Sequence, residues 1–303
     1  MDKIFKVEKD FQNSRLDKWF KRNVLDLPHS LISKLVRIKK IKVNNLKTTT
    51  SYKLQKGDLV KFFSYNKYRS IKKEKKITYK TTKLDKKRYD QFVVEDNENF
   101  LVLNKPSGVP VQGGTKSFKN IVDILKSTKY FKNSKPYIVH RIDKDTSGLL
   151  IVAKNRAFAQ LFTSLFRIRK IHKTYHAIVH GKYELKKNRL IDDLITYDNK
   201  KKIVQKAITD VRLIKRGENF SLLELNPITG RKHQIRKQLL NIGHSIVGDK
   251  KYFSENKTYK YGLMLHAQNI KFMINEIKYN YQADYTNEFL KFLTKIKEVS
   301  NSY

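Results

Sequence analysis

Residues Tyr137 to Lys154 constrain this chain more than any other stretch. An apolar run, Tyr137-Ile138-Val139, gives way to a compact polar turn that Ser147-Gly148 closes. Leu149-Leu150-Ile151-Val152 then leaves with no polar alternation, which is the pattern of a buried strand. Arg141, Asp143 and Asp145 are thereby held on a short loop between two elements rooted in a core. Such a loop keeps a side chain aimed while leaving it open to a substrate. Spacing alone favours a plainer account, in which Asp143 or Asp145 bonds neighbouring amides as Asx turns do.

His140-Arg141-Ile142-Asp143, followed by Thr146-Ser147-Gly148-Leu149-Leu150, resembles the signature of the RluA-type pseudouridine synthases. These enzymes isomerise uridine to pseudouridine within RNA, and the resemblance implies that Asp143 is the catalytic residue. It extends to Lys173-Thr174-Tyr175-His176-Ala177-Ile178-Val179-His180-Gly181, similar to the family's Lys-x-Tyr-x-Ala-x-Val-x-Gly. Read bare, Tyr175 shares a strand face with Ala177 and Val179 and is a core tyrosine. The resemblance implies instead that it contacts the target base.

Thr229-Gly230-Arg231-Lys232-His233-Gln234-Ile235-Arg236 resembles the family's third motif. By itself it reads as a basic helix N-terminus that binds phosphate. The resemblance assigns Arg236 as counter-ion to Asp143, Arg231 to phosphate, and Arg141 to the gap that a flipped base leaves. Gly243 to Asp249 continues the motif, with Ser245 where proline is usual, and His266 fits a structural position. Asn104-Lys105-Pro106-Ser107-Gly108 matches the family's Asn-Lys-Pro-x-Gly; Lys105 holds a phosphate or, the preferred reading, covers a strand end.

The 303 residues suffice for a substantial core plus an appendage. With 39% hydrophobic residues the chain folds, and 66 Lys+Arg against 28 Asp+Glu give a formal charge of +38. That excess points to a polyanionic partner, nucleic acid first. Codon bias explains part of the lysine count but not the scarcity of acids. Cysteine is absent, which removes disulfides, thiolate catalysis and cysteine-ligated zinc. No metal site is expected. No apolar run reaches the length of a membrane span, and Met1 to Asp10 lacks an apolar signal core. A cytoplasmic protein with no membrane partner, acting as a monomer, is the expectation.

Three segments are expected: residues 1–63, a basic linker over 64–88, and a catalytic domain over 89–303. In the first, Leu16, Trp19 and Phe20 recur at helical spacing after Asn13 or Ser14 as cap. Ser30 is the cap expected for a second helix whose Leu31, Leu35 and Ile38 face inward while Lys34 and Arg37 point out. Ile41 to Asn44 alternates as a strand, Asn44-Asn45 turns, and Tyr52 to Leu54 and Leu59 to Phe62 flank Gly57-Asp58. This resembles an S4 RNA-binding domain, with Lys40 where glycine is usual and Asn45 where Asn-Gly is. Lys34 and Arg37 would then meet phosphates, which position without specifying sequence.

In the third segment, strands are expected at Phe92 to Val94, Phe100 to Leu103, Lys173 to Gly181 and Phe220 to Leu225. Phe158, Leu161, Phe162, Leu165 and Phe166 make a helical core stripe. Residues 183–217 read as hairpin or loop insertions. Helices are expected from Lys232, with Ile235, Leu239 and Ile242 on one side, and near the end through Phe289, Phe292, Leu293 and Ile296. The resemblance implies an α+β fold: a small S4-like α/β domain, then a catalytic domain with a mixed, largely antiparallel central sheet.

A stacked uridine must be flipped out at a cost of roughly a few kcal/mol before its glycosidic bond can be reached. The carboxylate of Asp143 would then attack C1′ or stabilise charge as the bond breaks. It must stay ionised in a desolvated pocket, hence Arg236. The reaction is a redox-neutral isomerisation needing no cofactor, and neither a Walker loop nor a dinucleotide Gly-x-Gly-x-x-Gly is present. The resemblance points to the RluC-like branch acting on large-subunit ribosomal RNA. The alternatives are a non-catalytic RNA-binding or ribosome-assembly factor, and the same chemistry on tRNA.

Overall fold

Leu16, Trp19 and Phe20 bury one face of a helix over Leu16–Asn23 (α1), as their spacing predicts. The structure, a computed structural model, describes residues 2–68, 81–82, 89–113, 119–184, 188–198, 201–252 and 261–296. The chain divides into two compact units, Met1–Ile77 and Thr78–Tyr303. Most of the basic stretch expected as a linker lies outside the described residues.

In the first unit α1 is followed by His29–Arg37 (α2), with strands Lys3–Lys6 (β1), Ile41–Val43 (β2) and Leu59–Phe62 (β3). The strands pair antiparallel in the order β1-β3-β2. Phe20 meets Phe62 edge-on with ring centroids 5.1 Å apart, tying helix to sheet. Asn44 and Asn45 both take left-handed φ, 51° and 61°, which asparagine tolerates in a tight strand turn.

Three expectations are corrected in this unit. Pro28, not Ser30, precedes α2, and its preset φ starts the helix two residues early. The buried set is accordingly Ile32, Leu35 and Val36, while Ile38 is 48% exposed. Neither Asn13 nor Ser14 caps α1; Arg15 stands at the entry and grips Asp17 through two hydrogen bonds. Tyr52 to Leu54 contributes only an isolated bridge, Arg15 with Lys53, and the second partner of β3 is the unanticipated β1.

The second unit holds the strands Val93–Asp96 (β4), Phe100–Lys105 (β5), Tyr137–Ile138 (β6), Ser147–Ala153 (β7) and His172–His180 (β8). Arg189–Asp198 (β9), Lys201–Arg216 (β10), Phe220–Pro227 (β11), Leu265–Ile274 (β12) and Ile277–Gln282 (β13) complete a mixed sheet. Its order is β4-β5-β7-β12-β8-β11-β10-β9, with β13 beside β12 and β6 beside β7. Among the described residues only β7 and β12 pair parallel. Helices Ile121–Leu125 (α3), Arg156–Arg167 (α4), Gln234–Asn241 (α5) and Asn287–Leu293 (α6) pack on the sheet.

All seven residues of β7 are buried, because both faces of the sheet are covered there. Leu150 and Val152 join Leu101, Leu103 and the α3 side chains on one face. Leu149 and Ile151 join Phe100, Val102, Phe162 of α4 and Phe272 of β12 on the other. Between Arg189 and Arg216 a long regular hairpin forms, β9 against β10. The β12–β13 hairpin was not anticipated. Helix α5 begins at Gln234 rather than Lys232, and Ile242 falls just past its end, 39% exposed. No helix of the described residues is long and apolar enough to cross a membrane.

Gly148 explains the parallel joint. Its φ is +104°, and a Cβ built there would lie 2.3 Å from the carbonyl oxygen of Ala267 on β12. Glycine alone lets the two backbones approach so closely. We predict that Gly148→Ala destabilises the second unit by about 3 kcal/mol or more, since backbone has to yield on both strands. Urea unfolding followed by tryptophan-independent circular dichroism measures it; an unchanged midpoint would contradict the packing.

Candidate active site

The loop between β6 and β7 is pinned at several points. His140 Nε2 accepts a hydrogen bond from the Ile151 amide at 2.8 Å, and its ring lies on Phe166 with centroids 4.6 Å apart. Lys105, the last residue of β5, is fully buried and turned over the carbonyls that follow its strand, the preferred of the two readings. Its ammonium donates to the carbonyls of Pro106, Val109 and Lys144 at 2.8, 3.0 and 3.0 Å. Ser107 Oγ donates to the Asp145 carbonyl at 2.6 Å, and the Gly108 amide to the Lys144 carbonyl at 3.0 Å. Asn-Lys-Pro-Ser-Gly is therefore the cradle of the Asp143 loop. Burial pulls the Lys105 pKa down to about 7, opposed by the charges of Asp145 and Asp143.

Asp143 emerges from this frame 28% exposed, lining a cavity of about 110 Å³ with Arg141, Lys173, Tyr175, Arg231, His233 and Arg236. Tyr175 reaches it from β8; burial first and the Asp143 charge second raise its phenol pKa. Arg236, in the first turn of α5, has Nη1 3.7 Å from Asp143 Oδ2. That is an ion pair and not a hydrogen bond. The remainder of the guanidinium fork is taken by Asp249, with Nε to Oδ2 at 2.7 Å and Nη2 to Oδ1 at 2.6 Å. Sequence reasoning assigned Arg236 to Asp143 alone and gave Asp249 no role, although Asp249 closes the quoted Gly243 to Asp249 motif.

Asp249 is itself fixed, its Oδ1 accepting from the amides of Lys251 and Tyr252 at 3.0 and 3.1 Å. Burial tends to raise its pKa, but the Arg236 hydrogen bonds and charge and the two amides outweigh that, and the carboxyl is held below the usual range. The Tyr252 ring sits 5.0 Å from the Arg236 guanidinium carbon, and its hydroxyl lies 2.7 Å from His233 Nδ1. His233 Nε2 returns to Asp143 Oδ1 at 3.7 Å. His233 takes a left-handed φ of 54° just before α5, which turns the ring toward the cavity. Burial lowers its pKa, the Asp143 charge opposing and Arg236 assisting, which favours a neutral imidazole at neutral pH. These contacts close a ring: Asp249, Arg236, Asp143, His233, Tyr252 and back to Asp249.

The consequence is chemical. Asp143 feels a nearby cation yet keeps its oxygens untied, because Asp249 occupies the fork. Arg141 is exposed and has no ion-pair partner among the described residues, whereas Arg231 Nε donates to the Lys206 carbonyl at 3.2 Å. Lys34 and Arg37 are exposed on α2 of the first unit. His266 is buried and bonds Ser147 Oγ at 2.8 Å, a structural position as expected. His172, His176 and His180 recur every fourth residue, but on a strand four residues span ~13 Å. Among the described residues no three His, Asp or Glu converge as metal ligands would.

An untied carboxylate beside a guanidinium, faced by a buried tyrosine and rimmed with arginines, equips an enzyme that works on a polyanionic substrate. The profile of the family described as RNA pseudouridylate synthase matches residues 99–241. A ribosomal large subunit pseudouridine synthase C from Rickettsia felis is 35% identical, covering 85% of this chain and 88% of its own. One of the same description from Buchnera aphidicola subsp. Schizaphis graminum is 32% identical, covering 89% of each. The structure of human RNA pseudouridylate synthase domain containing 4 superposes with a TM-score of 0.59 at 25% identity, covering 70% of this chain and 95% of that one. The chain belongs to the RNA pseudouridylate synthase family. It is an isomerase that converts uridine to pseudouridine in RNA.

Two outcomes are expected. Asp249→Asn leaves Arg236 charged and half-paired in a buried site, so stability falls by about 3–5 kcal/mol and turnover falls with it; chemical denaturation and a pseudouridine assay measure both. The second concerns acid. Burial lowers the His140 pKa from 6.5 to about 3, the Lys173 charge contributing, and burial also lowers that of His266 to about 4. The unfolded chain therefore takes up protons below about pH 6.5 that the folded chain refuses, so stability is full above that pH and declines from there toward about pH 3. Unfolding free energy measured across this window should fall with acid, and less steeply in His140→Gln.

Proposed function

We propose that Asp143 is the catalytic carboxylate and that the RNA is large-subunit ribosomal RNA. The observation that carries the assignment is the shared cavity: Asp143, Tyr175 and Arg236 line one space, with Arg236 3.7 Å from the aspartate and held by Asp249. An extruded uridine entering it presents C1′ to Asp143. As the N1–C1′ bond breaks, the carboxylate stabilises the positive charge on the sugar; the uracil turns, C5 bonds to C1′, and the proton leaves C5 while N1 gains one. No atom is gained or lost and no redox partner is needed. Tyr175 stacks on the detached uracil and holds it against escape. Arg236 sets a positive charge 3.7 Å from Asp143 and steadies the carboxylate beside the reacting sugar. Arg141 fills the gap that the uridine leaves in its helix, and Arg231 meets phosphate.

The ribosomal assignment is supported by the description of the relatives from Rickettsia felis and Buchnera aphidicola over most of the chain. The first unit, with its two helices on a three-stranded sheet and the exposed Lys34 and Arg37, supports an S4-like RNA-binding role. The reading takes the enzyme as a monomer, and ribosomal RNA as substrate fits the cytoplasm. We expect Asp143→Ala to abolish turnover while RNA affinity changes little. Chemical labelling of pseudouridine in cellular RNA reads the first and filter binding the second. Retained pseudouridine at every large-subunit site would sink the assignment.

A further inference from the structure

A second cavity, of about 580 Å³, opens beside the first and shares Arg141, Lys173, Tyr175 and Arg231 with it. Its volume falls within the roughly 300–1,000 Å³ of small-ligand sites. Its far wall is the end of α4, with Phe166, Arg167 and, just past the helix, Arg169. Among the residues lining it are five cationic side chains and no carboxylate. Nothing in the reaction described above uses Lys173, Arg167 or Arg169.

Two observations say that this charge awaits an anion. Lys173 stands between the cavities, half-buried on β8, with no hydrogen-bond or ion-pair partner among the described residues. Its burial lowers its pKa, with no carboxylate to compensate. An ammonium so held is costly until an anion joins it. Arg169 occupies the residue that ends the helix in the left-handed region, with φ 60° and its following amide closing back on Leu165 at 2.9 Å. Helices commonly place glycine there, and a side chain costs roughly 1–2 kcal/mol. Here a guanidinium is kept at the cavity wall instead.

We propose that the second cavity seats the nucleotide adjoining the extruded uridine. Lys173 meets the phosphodiester that joins the two nucleotides, and Arg167 with Arg169 fork the next phosphate, as guanidinium groups do. Phe166, Pro227 and Ile228 supply an apolar wall for the neighbouring base, a contact tolerant of base identity. The inference rests on the first cavity being the uridine site. It adds that the enzyme unwinds at least one nucleotide beyond its target and grips it by charge.

The test is a cycle of protein and RNA changes. Stem-loops derived from ribosomal RNA and from tRNA are assayed for conversion by the wild type, and the converted one is remade with single uncharged methylphosphonates around the target. Arg167→Ala/Arg169→Ala should raise KM about tenfold, most of the loss in kcat/KM falling on KM. It should also flatten the plot of log affinity against log salt by about 0.7 for each phosphate released. One methylphosphonate position should weaken wild type but hardly affect the double variant. Lys173→Met, which keeps the bulk, should show the same insensitivity one phosphate nearer the uridine. Both arginines are exposed, so the unfolding transition of the double variant should match wild type. Losses that add at every position, or an unchanged KM, would overturn the subsite. A failure of the ribosomal assignment appears differently, as conversion confined to tRNA stem-loops.

Discussion

One guanidinium serving two carboxylates is the constraint on which the site depends. Arg236 spends its hydrogen-bonding fork on Asp249 and lends only charge to Asp143. Had the fork closed on Asp143, its lone pairs would be occupied and an incoming sugar would have to break a buried bidentate pair. Had Asp249 been absent, the arginine would lack an anchor. The division separates the acid that orients the guanidinium from the acid that keeps its oxygens open.

Support for the other side of Asp143 is a matter of backbone. Lys105 presents three N–H donors to three carbonyls, an arrangement that only an ammonium satisfies in full. Because two of those carbonyls lie just after β5 and the third lies on the Asp143 loop, the lysine joins segments far apart in the chain. Ser107 and Gly108 repeat the linkage. The rigidity of the loop thus follows from a buried charge with hydrogen bonds, and the hydrophobic core of β7 holds the other end.

Much of this was legible in the sequence where local pattern and final environment agree. The unbroken run Leu149 to Val152 announced a strand with no wet face, and the phenylalanines of α4 announced a packed helix. The motif residues Asp143, Tyr175 and Arg236 do line one cavity. What was hidden depends on distant partners. Asp249 is an unremarked acid until the fold brings Arg236 to it. His233 reads as part of a helix, yet its left-handed backbone ends that reading. The start of α2 was misjudged by two residues because proline sets the entry while periodicity alone does not. Strand β1 forms because the edge of β3 receives it, and β12 because it fills the place between β7 and β8.

The order of the sheet also sets a schedule. β12, which follows both in sequence, lies between β7, which follows the Asp143 loop, and β8, which carries Tyr175. During synthesis those two strands emerge early, yet they have no shared neighbour until residues beyond 265 have been made. A nascent chain therefore has every motif residue translated well before it has a working pocket. Catalytic competence arrives as a late, all-or-none event, so an enzyme born on a ribosome cannot begin to edit RNA until β12 has been made.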